Sequence, residues 1–334
     1  MKSIFLCNTP SIIDRVYSTT TIETLKQEAG LLQEVFVEDD LDKHDFSDVE
    51  AIFSSWDIPI LSDEQVRKHF PNLKYVFYAA GSIQYFAKPL FANNVRIFSA
   101  WSANAIPVAE YTVSQIILAN KGFFHTLNKI DSCEGYRKAQ ALSQALPGNF
   151  ETSVGILGVG QIGRRVIQKL KSISSLDIKV YDPFLSDAVA NELKVTKASL
   201  EEIFSTCQTI SNHIANLPTT QKLLDYKLFS LMKENAVFIN TGRGAQVDEA
   251  GLIKALKDCP TRFAVLDVTD PTEPPENNSE LYMLNNILIT PHIAGSSGNE
   301  VHRMAEIMIE AFRAVKDGKA TPTEVTLEML VTMA

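Results

Sequence analysis

The sequence predicts an α/β protein built from two doubly wound parallel sheets, and three observations carry that expectation. Short apolar runs alternate with helical stretches from the first residues onward, and the alternation occurs twice, over residues 3–98 and again over residues 153–289. A glycine-rich turn opens the second series in Gly155-Ile156-Leu157-Gly158-Val159-Gly160-Gln161-Ile162-Gly163. Strand, helix and strand in that rhythm mark parallel βαβ units.

In chain order, the first series places strands at residues 3–7, 35–37, 51–53, 75–78 and 95–98. A helix is expected next over residues 104–119, with Pro107 in its first turn, where a missing N–H is tolerated. Ile106, Ala109, Val113, Ile116 and Ile117 share one face, while Val108, Tyr111 and Leu118 make the others apolar, which predicts a helix buried nearly all round, between domains or subunits. The second series begins near Ser153 and continues with strands at 178–181, 209–211, 237–239, 263–266 and 287–289. After Ser296 a last helix carries Val301, Met304, Met308, Phe312 and Val315 at spacings of three and four and closes at Asp317-Gly318. It is expected to pack back on the first domain. Residues 122–150 and the tail from Thr321 carry no motif that can be read.

The 334 residues fit two domains better than one. A hydrophobic content of 45% with 21% charged residues excludes a disordered or fibrous chain. Apolar runs stay far below the roughly 20 residues of a membrane span, and Met1-Lys2-Ser3-Ile4-Phe5-Leu6-Cys7 reads as a strand rather than a signal peptide. Cys7, Cys133, Cys207 and Cys259 are scattered without paired spacing, so no metal site or disulfide framework is expected and the setting is taken as reducing and cytoplasmic. A net charge of −9 disfavours nucleic acid and anionic membranes as partners. An anionic substrate would then need a local positive pocket.

The glycine turn has the spacing of a dinucleotide loop: Gly158 for the tight turn, Gly160 for close approach to a pyrophosphate, Gly163 for packing of helix on strand, with Gln161 and Ile162 opening the helix. A plain turn between strand and helix is the duller reading. Context favours the cofactor, because a strand precedes, a helix follows, and Asp182 closes the next strand at close to the roughly 20-residue interval of a ribose-binding acid. A carboxylate there accepts from ribose hydroxyls and repels a 2′-phosphate. Pro183 and Phe184 follow with no arginine, so NAD is expected over NADP.

Arg243, Glu273 and His292 each follow a strand-like run, at the edge where open α/β sheets bind ligands. A guanidinium fork suits a carboxylate, and an acid beside an imidazole suits proton transfer. Singly, they read as a structural ion pair, a solvated loop charge and a capped strand-end imidazole. Asp267 is open between a turn cap and an acceptor for the nicotinamide amide, and His213 between a satisfied strand-end histidine and a cofactor neighbour. Asp248 suits a helix N-cap. His44, His69, His125 and His302 read as surface residues.

These residues resemble the D-isomer-specific 2-hydroxyacid dehydrogenase family over essentially the whole chain. The matching elements are residues 154–163, Ile239-Asn240-Thr241-Gly242-Arg243-Gly244 through Val247-Asp248-Glu249, Leu266-Asp267-Val268, and Thr290-Pro291-His292-Ile293-Ala294-Gly295. The resemblance implies a Rossmann cofactor domain, residues 104–295, inserted in a flavodoxin-like substrate domain, residues 1–103 and 296–334, with homodimers formed through the cofactor domain. It implies that Thr241 and Gly295 lie beside the cofactor, that Ala80, Gly81 and Ser82 offer N–H groups to the substrate carboxylate, and that Asn104 lies near the reacting centre. Departures exist. The Glu-Pro of Asp270-Pro271-Thr272-Glu273-Pro274 falls one residue late, which leaves Asp270 open as the partner of His292. Ala215 stands where the family has proline, and Trp101 where small residues are common.

The implied reaction interconverts a D-2-hydroxy acid and its 2-oxo acid with NAD. His292 is the acid/base, Glu273 favours its cationic form, and Arg243 holds the carboxylate. A formate dehydrogenase is less compatible, since it has glutamine in place of the glutamate. The rival from another class is an NADH-responsive, corepressor-like binding protein without significant turnover.

Overall fold

In chain order the strands are β1 (Ser3–Leu6), β2 (Leu31–Phe36), β3 (Ala51–Ser54), β4 (Tyr75–Tyr78), β5 (Arg96–Ser99), β6 (Ser153–Leu157), β7 (Asp177–Tyr181), β8 (Thr196–Lys197), β9 (Thr209–Asn212), β10 (Val237–Asn240), β11 (Phe263–Leu266), β12 (Ile287–Ile289) and β13 (Glu324–Val325). The structure is a computed structural model and describes residues 1–127 and 129–331. Asn128, inside the stretch 122–150, and the last three residues of the tail lie outside the described residues. The chain divides into two compact units, Met1–Asn104 with Ser296–Ala334, and Ala105–Gly295.

In the first unit the sheet order is β13-β5-β4-β3-β1-β2. Without β13 this is the flavodoxin-like winding, with its switch point between β1 and β3. The strands are parallel except β13, which pairs antiparallel with β5, so this sheet is not wholly parallel as expected. Alternation along each strand builds two apolar layers: Ile4 and Leu6 of β1 join one core, Phe5 the other. The last helix, Glu300–Lys316, buries Val301, Met304, Met308 and Phe312 against the second of these cores. The Phe312 ring lies within 6 Å of both Phe53 and Phe77, tilted against the first and edge-on to the second.

The second unit's order is β12-β11-β10-β9-β6-β7-β8, parallel throughout, with its switch point between β6 and β9. Its central strands β9, β10 and β11 bury both faces, which explains why β10 and β11 read as continuous apolar runs rather than alternating ones. Helix Gln161–Ile173 lays Gly163, Val166, Ile167 and Leu170 on the sheet.

Three sequence expectations need correction. The helix predicted over 104–119 runs Trp101–Asn120, which puts Pro107 inside it rather than in its first turn. That helix is not buried all round, because Glu110, Ser114 and Leu118 make an exposed stripe. His125 is buried rather than on the surface, its Nε2 3.0 Å from the Thr261 carbonyl. Asp248 does occupy an N-cap position, but its side chain makes no capping bond.

Candidate active site

Gly158 has φ +87°, and a Cβ there would come within 2.5 Å of the His213 carbonyl oxygen; one at Gly163 would lie 2.0 Å from the Gly158 oxygen. Both positions therefore demand glycine. Gly160 faces open space, and helix Gln161–Ile173 starts immediately after it with no acidic residue in its first turn. A first turn whose N–H groups lack intrahelical partners, opening on a gap with no anion of its own, fits a pyrophosphate. Asp182 accepts the Val159 N–H at 2.7 Å through one oxygen and the Phe184 N–H at 2.8 Å through the other. Those bonds fix the carboxylate beside the glycine loop and leave lone pairs for ribose hydroxyls.

The residues past β10, β11 and β12 form the chemical cluster. His292 Nδ1 lies 2.7 Å from Glu273 Oε1, and both side chains remain substantially exposed. Glu273 is thus the histidine's partner. Asp270 donates its N–H to Glu249 instead, and burial, with a smaller push from the Asp270 charge, raises the Glu249 carboxyl. Arg243 is part-buried just past β10, its guanidinium donating to the Gly242 carbonyl at 2.8 Å. Burial lowers its pKa and the nearby Glu273 charge opposes this; an arginine starts so high that it stays cationic.

His292 sits at φ +52°, a left-handed conformation uncommon for a residue with a side chain. What holds it there is Asp267, which is 2% exposed. Its Oδ1 accepts from Thr290 Oγ1 at 2.6 Å and from the Ile293 N–H at 2.9 Å, and its Oδ2 from the Ala294 N–H at 2.9 Å. With the Thr290 hydroxyl proton donated to Asp267, Tyr111, 2.9 Å away, donates to Thr290. Asp267 therefore clamps the turn that carries the histidine, the capping alternative read from sequence. Neither Thr290 nor Tyr111 was singled out by sequence.

Thr241 turns its hydroxyl to Thr112 at 3.1 Å in a buried position. His213 Nε2 lies 2.9 Å from Ser211 Oγ, its Nδ1 has no partner among the described residues, and burial drives its pKa down to about 3, so it is neutral. Gly295 ends the second unit directly after the clamped turn. In the first unit, Ser99 Oγ holds the carbonyls of Ala80 and Gly81 at 2.9 and 2.6 Å. The N–H groups of Gly81 and Ser82 find no acceptor among the described residues. Asn104 Oδ1 accepts the Ser296 N–H at 2.9 Å, and its Nδ2 lies 3.6 Å from where a Gly81 Cβ would stand.

The second unit is a dinucleotide-binding fold: a glycine loop on a seven-stranded parallel sheet, with an imidazole, a carboxylate and a guanidinium at its carboxyl edge. Residues 121–294 match the family described as D-isomer specific 2-hydroxyacid dehydrogenase, NAD binding domain, and the chain belongs to that family. Its cofactor is NAD.

Among relatives, the chain is 36% identical over 167 residues to a putative 2-hydroxyacid dehydrogenase, YoaD, of Bacillus subtilis (strain 168), covering 50% of this chain and 47% of that protein. It is 29% identical over 233 residues to D-3-phosphoglycerate dehydrogenase of Methanocaldococcus jannaschii, covering 69% of this chain and 43% of that one. The chain thus spans about half the length of these relatives. The apo structure of D-mandelate dehydrogenase from Rhodotorula graminis superposes with a TM-score of 0.80 at 19% identity, covering 97% of both chains. That likeness is one of fold. Among the described residues, no helix is long and apolar enough to cross a membrane.

Proposed function

We propose that the chain interconverts a D-2-hydroxy acid and its 2-oxo acid, with His292 as the acid/base, Glu273 as its partner and Arg243 as the carboxylate clamp. The observation that carries this is the 2.7 Å contact between His292 Nδ1 and Glu273 Oε1. With Nδ1–H committed to the carboxylate, Nε2 is the atom left to give a proton to a carbonyl oxygen or take one from a hydroxyl. Glu273 fixes the orientation of the imidazole ring through that contact. Arg243 offers a planar two-point grip on a carboxylate and polarises the adjacent carbonyl. The bound nicotinamide supplies the hydride and defines the redox step. Gly158, Gly160, Gln161, Ile162, Gly163 and Asp182 would hold it, with His213, Thr241, Asp267 and Gly295 nearby.

In this reading Ala80, Gly81 and Ser82 supply N–H donors to the substrate carboxylate, supported by the carbonyls that Ser99 fixes and the N–H groups left without acceptors. Asn104 stands beside them. The same reading expects a homodimer formed through the cofactor unit, tested by sedimentation, and a cytoplasmic setting. The experiment is NADH oxidation with pyruvate, glyoxylate and phenylpyruvate, repeated with His292→Ala. Turnover lost in the variant while NADH still binds is the expected result. A wild type that binds NADH and reduces none of the panel would defeat the proposal.

A further inference from the structure

Three amides lie buried beneath Arg243. Asn212 and Gln246 are 0% exposed and Asn240 is 1% exposed. Asn212 and Asn240 are register partners at the ends of β9 and β10. Asn212 Nδ2 donates to Gln246 Oε1 at 2.7 Å and to Asn240 Oδ1 at 3.1 Å. Gln246 Oε1 also accepts the Arg243 N–H at 3.3 Å, and Asn240 Nδ2 donates to the Arg243 carbonyl at 3.1 Å. The orientation of Gln246 is chemically determined. Its oxygen faces two N–H donors and its Nε2 donates to the Ile214 carbonyl at 2.5 Å, so a flipped amide would set donor against donor.

From this we infer that Asn212 and Gln246 are positioning residues for Arg243, and that they lock its turn to the loop after β9. Both backbone polar groups of Arg243 are taken by side-chain amides rather than by a neighbouring strand. Gly242 is part of the fit, since a Cβ there would stand 3.0 Å from Gln246 Oε1 and 3.2 Å from Asn212 Nδ2. The same pair reaches the loop His213-Ile214, because Asn212 Oδ1 accepts the Ile214 N–H at 3.2 Å. That loop in turn backs Gly158 through the His213 carbonyl. The amides themselves bond to the Arg243 turn and the Ile214 backbone and make no bond to the glycine loop. Apolar side chains at 212 and 246 would fill the volume but leave the Arg243 N–H and the Ile214 carbonyl unpaired, which is costly in a buried site.

This rests on the reading of Arg243 as the carboxylate clamp, and the test separates the two. Kinetics are measured with the best substrate of the pyruvate, glyoxylate and phenylpyruvate panel, alongside NADH titration and thermal melting. Gln246→Met keeps the length and removes the amide. It is expected to lower kcat/KM about tenfold, mainly through KM for the oxo acid, with NADH affinity within about twofold of wild type. Gln246→Glu, protonated when buried, offers the same acceptor and donor and should restore kcat/KM to within about threefold. If Gln246→Met does not fold, Asn212→Ser carries the same split at about threefold. A folded Gln246→Met with wild-type kcat/KM overturns the inference. So does an NADH affinity that falls in step with kcat/KM, since the pair would then serve the cofactor loop alone. If Arg243→Lys retains wild-type kinetics, the clamp reading itself fails, whatever the amide variants do.

Discussion

Arg243 and Glu273 act on different atoms in the proposed reaction, so conservative substitutions separate them. Arg243→Lys keeps the charge but loses the planar fork, and kcat/KM for the oxo acid is expected to fall about 100-fold with NADH binding intact. Near-normal turnover in steady-state assays would remove Arg243 from the site. Glu273→Gln removes the charged acceptor at His292 Nδ1. The kcat for oxo-acid reduction is expected to fall about tenfold, while Asp270→Asn should leave it within about twofold of wild type. The reverse pattern would contradict the 2.7 Å contact. Sequence alone left Asp270 and Glu273 both open, because their distances to His292 depend on the path of a proline-rich loop. The placing of Arg243, Glu273 and His292 just past strands was legible in the sequence; which carboxylate meets the histidine was not.

At the scale of elements, the turn after β12 works through its clamp. Thr290→Val keeps the shape but removes the hydroxyl between Tyr111 and Asp267. A stability loss of about 1–2 kcal/mol is expected, with a fall in kcat larger than any change in NADH affinity, since the left-handed His292 loses one of its ties. Unchanged melting and kcat together would show the clamp to be idle. The glycine loop and Asp182 were readable because the motif spans strand, turn and helix at fixed spacing. Other elements were silent for physical reasons. β8 and β13 have two residues each, too few for any periodicity. Helix Cys133–Gln144 buries only Ala139, so it has no apolar stripe to read. Asn212 and Gln246 resemble ordinary polar residues in sequence, since an amide network between β9, β10 and the turn at 246 exists only once the strands are aligned.

The two units are stabilised by apolar layers on both faces of each sheet, and the unit Ala105–Gly295 also holds two imidazoles kept neutral by burial. Burial pulls the pKa of His125 down, with a smaller contribution from Lys129, and takes that of His213 to about 3. In an unfolded chain both histidines would take up protons near pH 6.5. Below that pH the unfolded state binds more protons than the native one, so stability is present at neutrality and is lost as pH falls from about 6.5 toward the folded-state values. Glu249 works the other way, because its raised carboxyl takes up a proton earlier in the folded state. The two histidines outnumber it, and the net expectation is a melting temperature about 5 °C lower at pH 5 than at pH 7. The loss should begin in the cofactor unit, with limited proteolysis at pH 5 cutting within residues 105–295 before residues 1–104. His125→Gln keeps a donor for the Thr261 carbonyl without titrating, and its melting temperature should depend less steeply on pH, whatever its absolute value. A wild-type melting temperature flat between pH 7 and 5, or a His125→Gln slope equal to wild type, would mean that the imidazole is solvated and charges freely in the folded protein.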